Sequence, residues 1–375
     1  MRKESYKTQE IVSGPGALQE AAQIAKNLGA QNILAVCSRS ARKHCGEEFW
    51  REFPGKVVFF HEFSPNPKYE EVEAGLALYE KERCGMILSM GGGSAMDVAK
   101  CIKMFLPMDR DKNYLKQEKK AGDIKHIAIP STAGTGSEST SFAVVYYQGE
   151  KQSVAHPSLL PDYAVLHAEF LEHLPLYQKK ATMLDALCQA IESYWSVNST
   201  EESRGYARQA IAAVRESWPG YVQENTNWRQ IMEAANLAGR AINISKTTAA
   251  HAMSYKITSM YGFAHGHAAA ICLPGTWAYL QEHIEDCTDS RGKDYLLRTL
   301  VELNQMLGKE NTEESVAWFT RLIDTLELPY PVESGEEDIE ILSSSVNAER
   351  LNNFPVKVTK EALRIMYRQI VKEPQ

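Results

Sequence analysis

Short hydrophobic runs alternate with helix-spaced segments along the first 150 residues. The runs are rich in valine, isoleucine and phenylalanine and occupy residues 32–36, 57–60, 86–90, 124–129 and 142–147. Residues 69–83, between two of these runs, have the spacing of a helix. Strands that alternate with helices build βαβ units, so this half of the chain is predicted to form a mostly parallel sheet.

After residue 161 the hydrophobic pattern becomes helical. Residues 178–197, 202–214 and 227–241 place apolar side chains at helical spacing, and few strand patterns interrupt them. We therefore predict an α/β protein of two domains. A Rossmann-like parallel-sheet domain is expected over residues 1–160 and an all-helical domain over residues 161–375, with the active site in the cleft between them.

Composition narrows the possible partners and the compartment. The formal net charge of −7 over 375 residues disfavours nucleic acid as a partner. The seven cysteines form no CxxC pair, which favours reduced thiols, and no run is long enough to span a membrane. The amino-terminal residues contain no apolar signal segment. We expect a cytoplasmic protein without a membrane or nucleic-acid partner.

Potential metal ligands occur in two helical stretches. Asp185 precedes Gln189 by four residues, so their side chains share one helix face, and His251 precedes Tyr255 by the same spacing. His265 follows shortly after. A carboxylate and two imidazoles from Asp185, His251 and His265 suit a catalytic divalent metal with an open position, which predicts an enzyme.

A glycine-rich turn follows the run at residues 86–90. Gly91, Gly92 and Gly93 lead into a helical segment with Ser94 and Asp97 in its first turns. Glycines let the backbone approach an anion, and a helix start offers unpaired N–H groups, so a dinucleotide pyrophosphate fits there. The alternative is a purely structural turn in which Ser94 caps the helix.

A second polar turn, residues 130–138, follows the next predicted strand. Its small hydroxyls and glycines suit phosphate and ribose oxygens, although an ordinary serine- and threonine-rich loop has the same composition. Two such turns at neighbouring strand ends favour the cofactor interpretation. In this second turn the predicted cofactor-binding residues are Ser131, Thr132, Thr135 and Ser137.

These motifs resemble those of the iron-containing alcohol dehydrogenase family. The family has a GGGSxxDxAK loop and a TTAGTGSE turn, and the resemblance continues through residues 185–187, 191–193, 251–253 and 265–266. It implies the dehydroquinate synthase-like architecture, with a nicotinamide cofactor and a divalent metal meeting in the cleft. Members commonly reduce aldehydes or oxidise alcohols, and a homodimer or larger homo-oligomer is expected.

The chain departs from the family at two site positions. Gln189 stands where typical iron-dependent members have a histidine ligand, and Tyr255 replaces another histidine near the substrate. Related glycerol dehydrogenases use an aspartate and two histidines with zinc, so Fe(II) or Zn is expected on Asp185, His251 and His265. The alternative is a metal-free protein. His267, Tyr255 or a metal-bound water is expected to supply the proton to the product.

The residues after the first predicted strand bear on coenzyme choice. NAD-preferring members resemble VTD here, whereas this chain has Ser38 and Ser40 together with Arg39 and Arg42. Hydroxyls and cations in place of an acid favour a 2′-phosphate, so NADPH is predicted over NADH. The alternative is that both arginines are solvated surface charges.

Arg240 and Lys246 suggest an anionic substrate. They precede His251 where simple-alcohol members look apolar or small. The motifs resemble the phosphonate-metabolism branch of the family, the phosphonoacetaldehyde reductases, which implies reduction of phosphonoacetaldehyde to 2-hydroxyethylphosphonate. A helix-surface salt bridge is the structural alternative for the two cations.

Three other functions fit parts of the pattern. One is a reductase or dehydrogenase for a neutral aldehyde or a polyol. Another is a lyase of the dehydroquinate synthase type, which uses its nicotinamide only transiently. The third is a non-catalytic nucleotide-binding protein, which the residues Gln189 and Tyr255 would suit.

Overall fold

The computed structural model describes residues 1–332, 335 and 337–373. The chain separates into two compact units, Met1–Leu174 and Pro175–Gln375. Each unit has its own packed core, as expected for a chain of this length.

The first unit is built around a seven-stranded sheet. Its strands, with two more that form a separate hairpin, are β1 (Arg2–Tyr6), β2 (Gln9–Ser13), β3 (Asn32–Cys37), β4 (Lys56–Phe60), β5 (Met86–Gly91), β6 (Lys125–Pro130), β7 (Phe142–Tyr147), β8 (Glu150–Ala155) and β9 (Tyr163–Leu166). Its helices are α1 (Ala17–Asn27), α2 (Arg39–Arg51), α3 (Tyr69–Lys81) and α4 (Gly93–Phe105). The strand order is β1-β2-β9-β6-β5-β3-β4, and every neighbouring pair is parallel except β1 with β2.

Both faces of this sheet are covered. Along β3, Leu34 and Val36 belong to a core cluster that includes side chains of α3 and α4, whereas Ile33 and Ala35 belong to a cluster with α1 and α2. Successive side chains of a strand point to opposite faces, so a strand covered on both sides is apolar throughout. The unbroken apolar run at residues 33–36 has this cause, and the parallel sheet is as predicted.

Two details differ from the prediction. Residues 142–147 form a strand, but β7 pairs antiparallel with β8 in a hairpin and does not join the main sheet. The boundary between the units falls after Leu174 and not after residue 160, because β9 completes the first sheet between β2 and β6.

The elements described in the second unit are all helices, as predicted. Its helices are α5 (Leu176–Trp195), α6 (Glu201–Gln223), α7 (Trp228–Ser245), α8 (Ala249–Tyr261), α9 (His265–Glu282), α10 (Lys293–Met306), α11 (Thr312–Thr325), α12 (Glu337–Ser344), α13 (Ala348–Leu351) and α14 (Lys360–Ile370). Helix α5 packs against α6, α7 and α9 and is buried over most of its length. Among the described helices, none has the length and apolar character needed to cross a bilayer.

Candidate active site

Three potential metal ligands come together where three helices of the second unit meet. Asp185 lies in α5, His251 lies in α8, and His265 is the first residue of α9. One ligand atom of each residue lies within 4.8 Å of the other two. The three residues identified in the sequence are therefore close enough to share one ion.

The polar atoms of this cluster fit a cation. Nδ1 of His251 is hydrogen bonded to the carboxylate of Glu192, which only accepts, so a neutral His251 ring has its lone pair on Nε2. Nε2 lies 3.4 Å from Oδ1 of Asp185, and neither buried atom has a hydrogen-bond partner among the described residues. Two buried acceptors that face each other require a proton or a metal ion between them.

The titration behaviour of the cluster points the same way. Burial alone would lower the pKa of His251, but the carboxylates of Glu192 and Asp185 outweigh it and raise the pKa to about 9. Burial would raise the pKa of Asp185, yet the nearby His251 ring and the charge of His265 hold it below its ordinary value. The cluster therefore stabilises a positive charge at the position that a divalent ion would take.

Glu192 orients His251, a role that the sequence did not reveal. The residue is fully buried, and one carboxylate oxygen accepts the Thr248 hydroxyl at 2.6 Å and the backbone N–H groups of Thr248 and Ala250 at 3.1 and 3.0 Å. The other oxygen bonds Nδ1 of His251. Glu192 thus uses the start of α8 to hold the imidazole, as carboxylates do behind histidine ligands in metal sites.

Gln189 lies one turn beyond Asp185 on the same helix. The proximity of its side chain to Asp185 contributes to the lowered pKa of that carboxyl. The amide oxygen is buried without a hydrogen-bond partner among the described residues. Where other members have an imidazole, this chain therefore offers a neutral oxygen, which is a weaker ligand for Zn or Fe(II).

The start of α9 is brought close to α5 by Gly266. A Cβ atom at this position would lie 2.1 Å from the carbonyl oxygen of Ala181 and 2.5 Å from Cβ of Asp185. The adjacent His265 ring is held by Ser254, 3.4 Å from its Nδ1 atom. The glycine of the His-Gly-His sequence is therefore required by helix packing beside two potential ligands.

Replacing Gly266 by Ala should both destabilise the protein and reduce its metal content. The new methyl group would push α9 away from α5, which we expect to cost about 1–3 kcal/mol of unfolding free energy. Gly275→Ala is a matched control in the same helix, because its added Cβ would meet no neighbour closer than 3.5 Å. Denaturant unfolding and bound-metal analysis test the pair, and equal behaviour of the two variants would contradict the packing argument.

His267 is fully buried and has structural partners on both ring nitrogens. Nδ1 lies 3.1 Å from the hydroxyl of Tyr177, and Nε2 lies 2.9 Å from the carbonyl oxygen of Pro329. Burial lowers the pKa of His267, although the hydrogen bond to Pro329 partly opposes this effect. A neutral ring with both nitrogens engaged is not placed to deliver a proton, so this geometry does not support the predicted catalytic role.

Tyr255, the second predicted proton donor, lies beside the metal-ligand candidates. Its ring stacks on that of His265, with centroids 5.4 Å apart and planes inclined by 3°. Arg350 in α13 donates a 2.6 Å hydrogen bond to the Tyr255 hydroxyl, and its guanidinium carbon lies 4.8 Å from the ring centroid. The tyrosine therefore links a potential metal ligand to a cation that the sequence did not reveal.

The two predicted substrate-binding cations lie in different surroundings. Arg240 is 6% exposed, donates to the Asn236 side chain at 2.9 Å and lies 5.6 Å from the ring of Tyr206. This position assigns Arg240 to the packing of α6 against α7 and not to an open anion site. Lys246 is partly buried at the end of α7. Its backbone angles, φ 64° and ψ 169°, are strained for any residue other than glycine.

The two predicted cofactor turns of the first unit are in contact. Strands β5 and β6 are neighbours, and the backbone N–H of Ser131 bonds to the carbonyl of Gly91 at 2.8 Å. A Cβ on Gly92 would lie 3.5 Å from Thr132, and one on Gly93 would lie 3.0 Å from Thr135. Gly93 thus allows the two turns to pack together at the carboxyl ends of parallel strands, whereas a Cβ on Gly92 would make an ordinary contact.

Ser94 does not cap the following helix. Helix α4 starts at Gly93, and its N-cap is Gly92, which has no side chain to cap the first N–H groups. The structural alternative for Ser94 is therefore excluded. An uncapped helix start next to glycines remains suited to a pyrophosphate.

A buried lysine holds the second turn against α4. Nζ of Lys100 donates to Ser137 at 3.0 Å, to Thr140 at 2.9 Å and to the carbonyl of Phe142 at 2.9 Å. Ser137 in turn donates to Asp97 at 3.2 Å. Burial raises the pKa of Asp97 to about 6 and lowers the pKa of Lys100 to about 8. Both predicted residues, Asp97 and Ser137, therefore belong to a network that positions the turn.

The stability of the protein should depend on pH through Lys100. Its pKa is about 8 in the folded protein and 10.5 as a free group, so between these values the unfolded chain binds the additional proton. Raising the pH through this window should increase the unfolding free energy by at most about 1.4 kcal/mol per pH unit. Denaturant unfolding of wild type and Lys100→Met at several pH values isolates this component, and parallel pH profiles would contradict it.

The predicted coenzyme-selecting residues lie beside the glycine turn. The backbone N–H of Ser38 donates to the carbonyl oxygen of Met90, the residue before Gly91. The Ser38 hydroxyl accepts a hydrogen bond from the backbone N–H of Ala41 at the start of α2. Arg39 and Ser40 are exposed at the same helix start. The Arg42 guanidinium carbon lies 3.6 Å from the ring centroid of Phe59, so Arg42 is a packed residue and not a solvated charge.

Comparisons with known proteins match both units. A model described as iron-containing alcohol dehydrogenase matches residues 8–168. A second, described as the C-terminal part of the Fe-containing alcohol dehydrogenase family, matches residues 179–371. Together they cover most of the chain and include every residue of the metal-ligand cluster and of the two turns.

Similar proteins act on aldehydes or alcohols according to their names. Phosphonoacetaldehyde reductase of Streptomyces viridochromogenes is 33% identical over 241 residues, covering 60% of this chain and 61% of that protein. Long-chain-alcohol dehydrogenase 1 of Geobacillus thermodenitrificans is 30% identical, covering 72% and 71%. The match therefore spans less than two thirds of the first relative. The crystal structure of sulfoacetaldehyde reductase from Bifidobacterium kashiwanohense with NAD+ is similar over 99% of both chains, with a TM-score of 0.87 and 26% identity.

Proposed function

This chain belongs to the iron-containing alcohol dehydrogenase family, and on that premise we propose that it is an NADPH-dependent reductase of small aldehydes that carry an anionic group. Phosphonoacetaldehyde, reduced to 2-hydroxyethylphosphonate, is the proposed substrate. The observation that carries the proposal of a metal-dependent reductase is the cluster of Asp185, His251 and His265 with its facing buried acceptors. The names of two relatives, which specify a phosphonate and a sulfonate aldehyde, support the substrate class.

Asp185, His251 and His265 are proposed to hold a divalent ion, Fe(II) or Zn. A metal bound there supplies a Lewis acid for the carbonyl oxygen of the aldehyde. Glu192 would keep a lone pair on Nε2 of His251 available to the ion, and Gly266 keeps the start of α9 close to Asp185. Three protein ligands leave an open position for substrate, which is a common catalytic arrangement.

The first unit is proposed to bind the nicotinamide dinucleotide, which supplies the hydride. The turn at Gly91, Gly92 and Gly93 offers backbone N–H groups for the pyrophosphate. Thr132 and Thr135 contribute hydroxyls beside it, and Lys100 fixes their turn. Exposed Arg39 and Ser40 at the start of α2 support recognition of a 2′-phosphate.

Tyr255 is the remaining side-chain candidate for proton delivery to the product oxygen. Its ring stacks on the potential ligand His265, whereas both nitrogens of His267 are engaged elsewhere. A proton donor must lie within hydrogen-bond reach of the reacting group, and only Tyr255 of the two predicted donors lies beside the cluster.

Oxidation of NADPH tests substrate, coenzyme and metal together. We expect faster turnover with phosphonoacetaldehyde than with propionaldehyde at equal concentration, with sulfoacetaldehyde as a second anionic substrate. Prior chelation should abolish the reaction, and re-addition of Zn or Fe(II) should restore it. A preference for NADH of more than tenfold would contradict the coenzyme proposal, and equal kcat/KM for propionaldehyde would contradict the substrate class.

A further inference from the structure

We propose that Arg350, through its contact with Tyr255, is the residue that binds the anionic group of the substrate. This inference rests on the proposed function, because it assigns a recognition residue for the same substrate class. It differs from the sequence prediction, which placed that role on Arg240 and Lys246 in the segment before His251.

The first argument is the distance of Arg350 from the metal-ligand candidates. Its guanidinium carbon lies 4.8 Å from the Tyr255 ring centroid, and that ring lies 5.4 Å from the ring of His265. Metal–oxygen bonds are about 2 Å long and charge-assisted hydrogen bonds about 2.8 Å. A two- or three-carbon aldehyde that directs its oxygen to the metal site can therefore reach Arg350 with its anionic end.

The second argument is the electrostatic state of Arg350. Among the described residues its guanidinium has one hydrogen-bond partner, the neutral Tyr255 hydroxyl, and no carboxylate within ion-pair distance. The side chain is only partly buried. A guanidinium has five N–H donors in a planar fork that matches phosphonate, sulfonate and carboxylate oxygens, so a cation held in place by a neutral group remains able to bind an anion.

The third argument is the position of the segment that carries Arg350. Asn353 follows three residues later, just beyond the end of α13, and its side chain donates to the carbonyl of Thr247 at 3.1 Å. Thr247 neighbours Lys246 in the connection between α7 and α8. The segment therefore contacts both the connection that carries Lys246 and the helix that carries His251 and Tyr255. Arg240, by contrast, is enclosed between α6 and α7.

The test compares anionic and neutral aldehydes in matched arginine variants. Arg350→Met should raise KM for phosphonoacetaldehyde by about 10- to 100-fold, the loss expected for a hydrogen bond to a charged group. It should leave KM for propionaldehyde within about threefold, because any effect through Tyr255 would lower kcat for both aldehydes alike. Arg350→Lys should retain part of the anion preference because it keeps the charge. Arg240→Met is the control and should preserve the ratio between the two aldehydes.

A binding measurement separates this inference from the proposed function. Ethylphosphonate, an unreactive anion, should bind wild type in the presence of NADP+ and metal in titration calorimetry, and Arg350→Met should lose that binding. If wild type prefers the anionic aldehyde but Arg350→Met retains the preference, Arg350 is not the recognition residue. Equal losses on both aldehydes would show that Arg350 only supports Tyr255 and would also overturn the inference. A wild type without anion preference and without ethylphosphonate binding would refute the substrate class itself.

Discussion

Asp185→Asn should lose its bound metal and reduce aldehydes at least about 1,000-fold more slowly than wild type. The substitution preserves size but removes the negative charge that faces His251 and His265 in a buried site. A neutral amide compensates poorly for a divalent ion among buried groups, and loss of the Lewis acid removes several kcal/mol of transition-state stabilisation. Elemental analysis of the purified protein and NADPH oxidation measure the two effects.

The control for Asp185→Asn is the same change at Asp294, an exposed residue in the first turn of α10. Asp294→Asn should retain metal and activity, because it removes a charge from the same unit without touching the cluster. Retention of both by Asp185→Asn would show that Asp185 is not a ligand. Normal metal content combined with loss of activity would instead place Asp185 in the chemistry without a role in metal retention.

Glu192→Gln should weaken metal binding by about 10- to 100-fold although Glu192 is not itself a proposed ligand. The glutamine amide has one oxygen, and that oxygen must accept from the Thr248 hydroxyl and from the backbone N–H groups of Thr248 and Ala250. Its NH2 group must therefore face Nδ1 of His251. The imidazole is then expected to carry its proton on Nε2, where the lone pair for the metal is needed.

Competition between the protein and a chelator for Co(II), followed by visible absorption, measures this effect independently of turnover. Denaturant unfolding must accompany it, because loss of a buried carboxylate also affects stability. Glu192→Asp, which keeps the charge on a shorter side chain, should bind metal more tightly than Glu192→Gln. Equal metal affinity of wild type and Glu192→Gln would show that Glu192 supports the helix start alone.

Much of the fold could be predicted because strand and helix patterns are local. The run at residues 86–90 and the helix after it were visible in the sequence, since an unbroken apolar run and a glycine turn are typical of a buried parallel strand. Strands β1 and β8 were not visible in the sequence, because most of their residues are polar and lie at exposed or partly exposed positions. The pairing of β7 in a hairpin was missed for the same reason, because its partner is the polar strand β8, which follows it after two residues.

The metal-ligand candidates could be predicted because they occur in short sequence motifs. A residue that contacts the site from a distant part of the chain could not be predicted in this way. Asp185, His251 and His265 were identified from residue type and spacing. Glu192 lies seven residues after Asp185 and therefore on the same helix face, a spacing that could have revealed it. Arg350 had no such signal, because its contact with Tyr255 spans 95 positions of sequence.

The candidate groups for coenzyme and metal are divided between the two units. The glycine turn and its partner lie wholly within Met1–Leu174, and the metal-ligand cluster with Glu192 lies wholly within Pro175–Gln375. A substitution in the glycine turn therefore changes no residue of the unit that carries the metal-ligand candidates, and a substitution in the cluster changes none of the unit that carries the turn. For the proposed reductase, coenzyme preference and metal preference are thus encoded in separate stretches of sequence, so either preference can be inherited without a substitution in the other stretch.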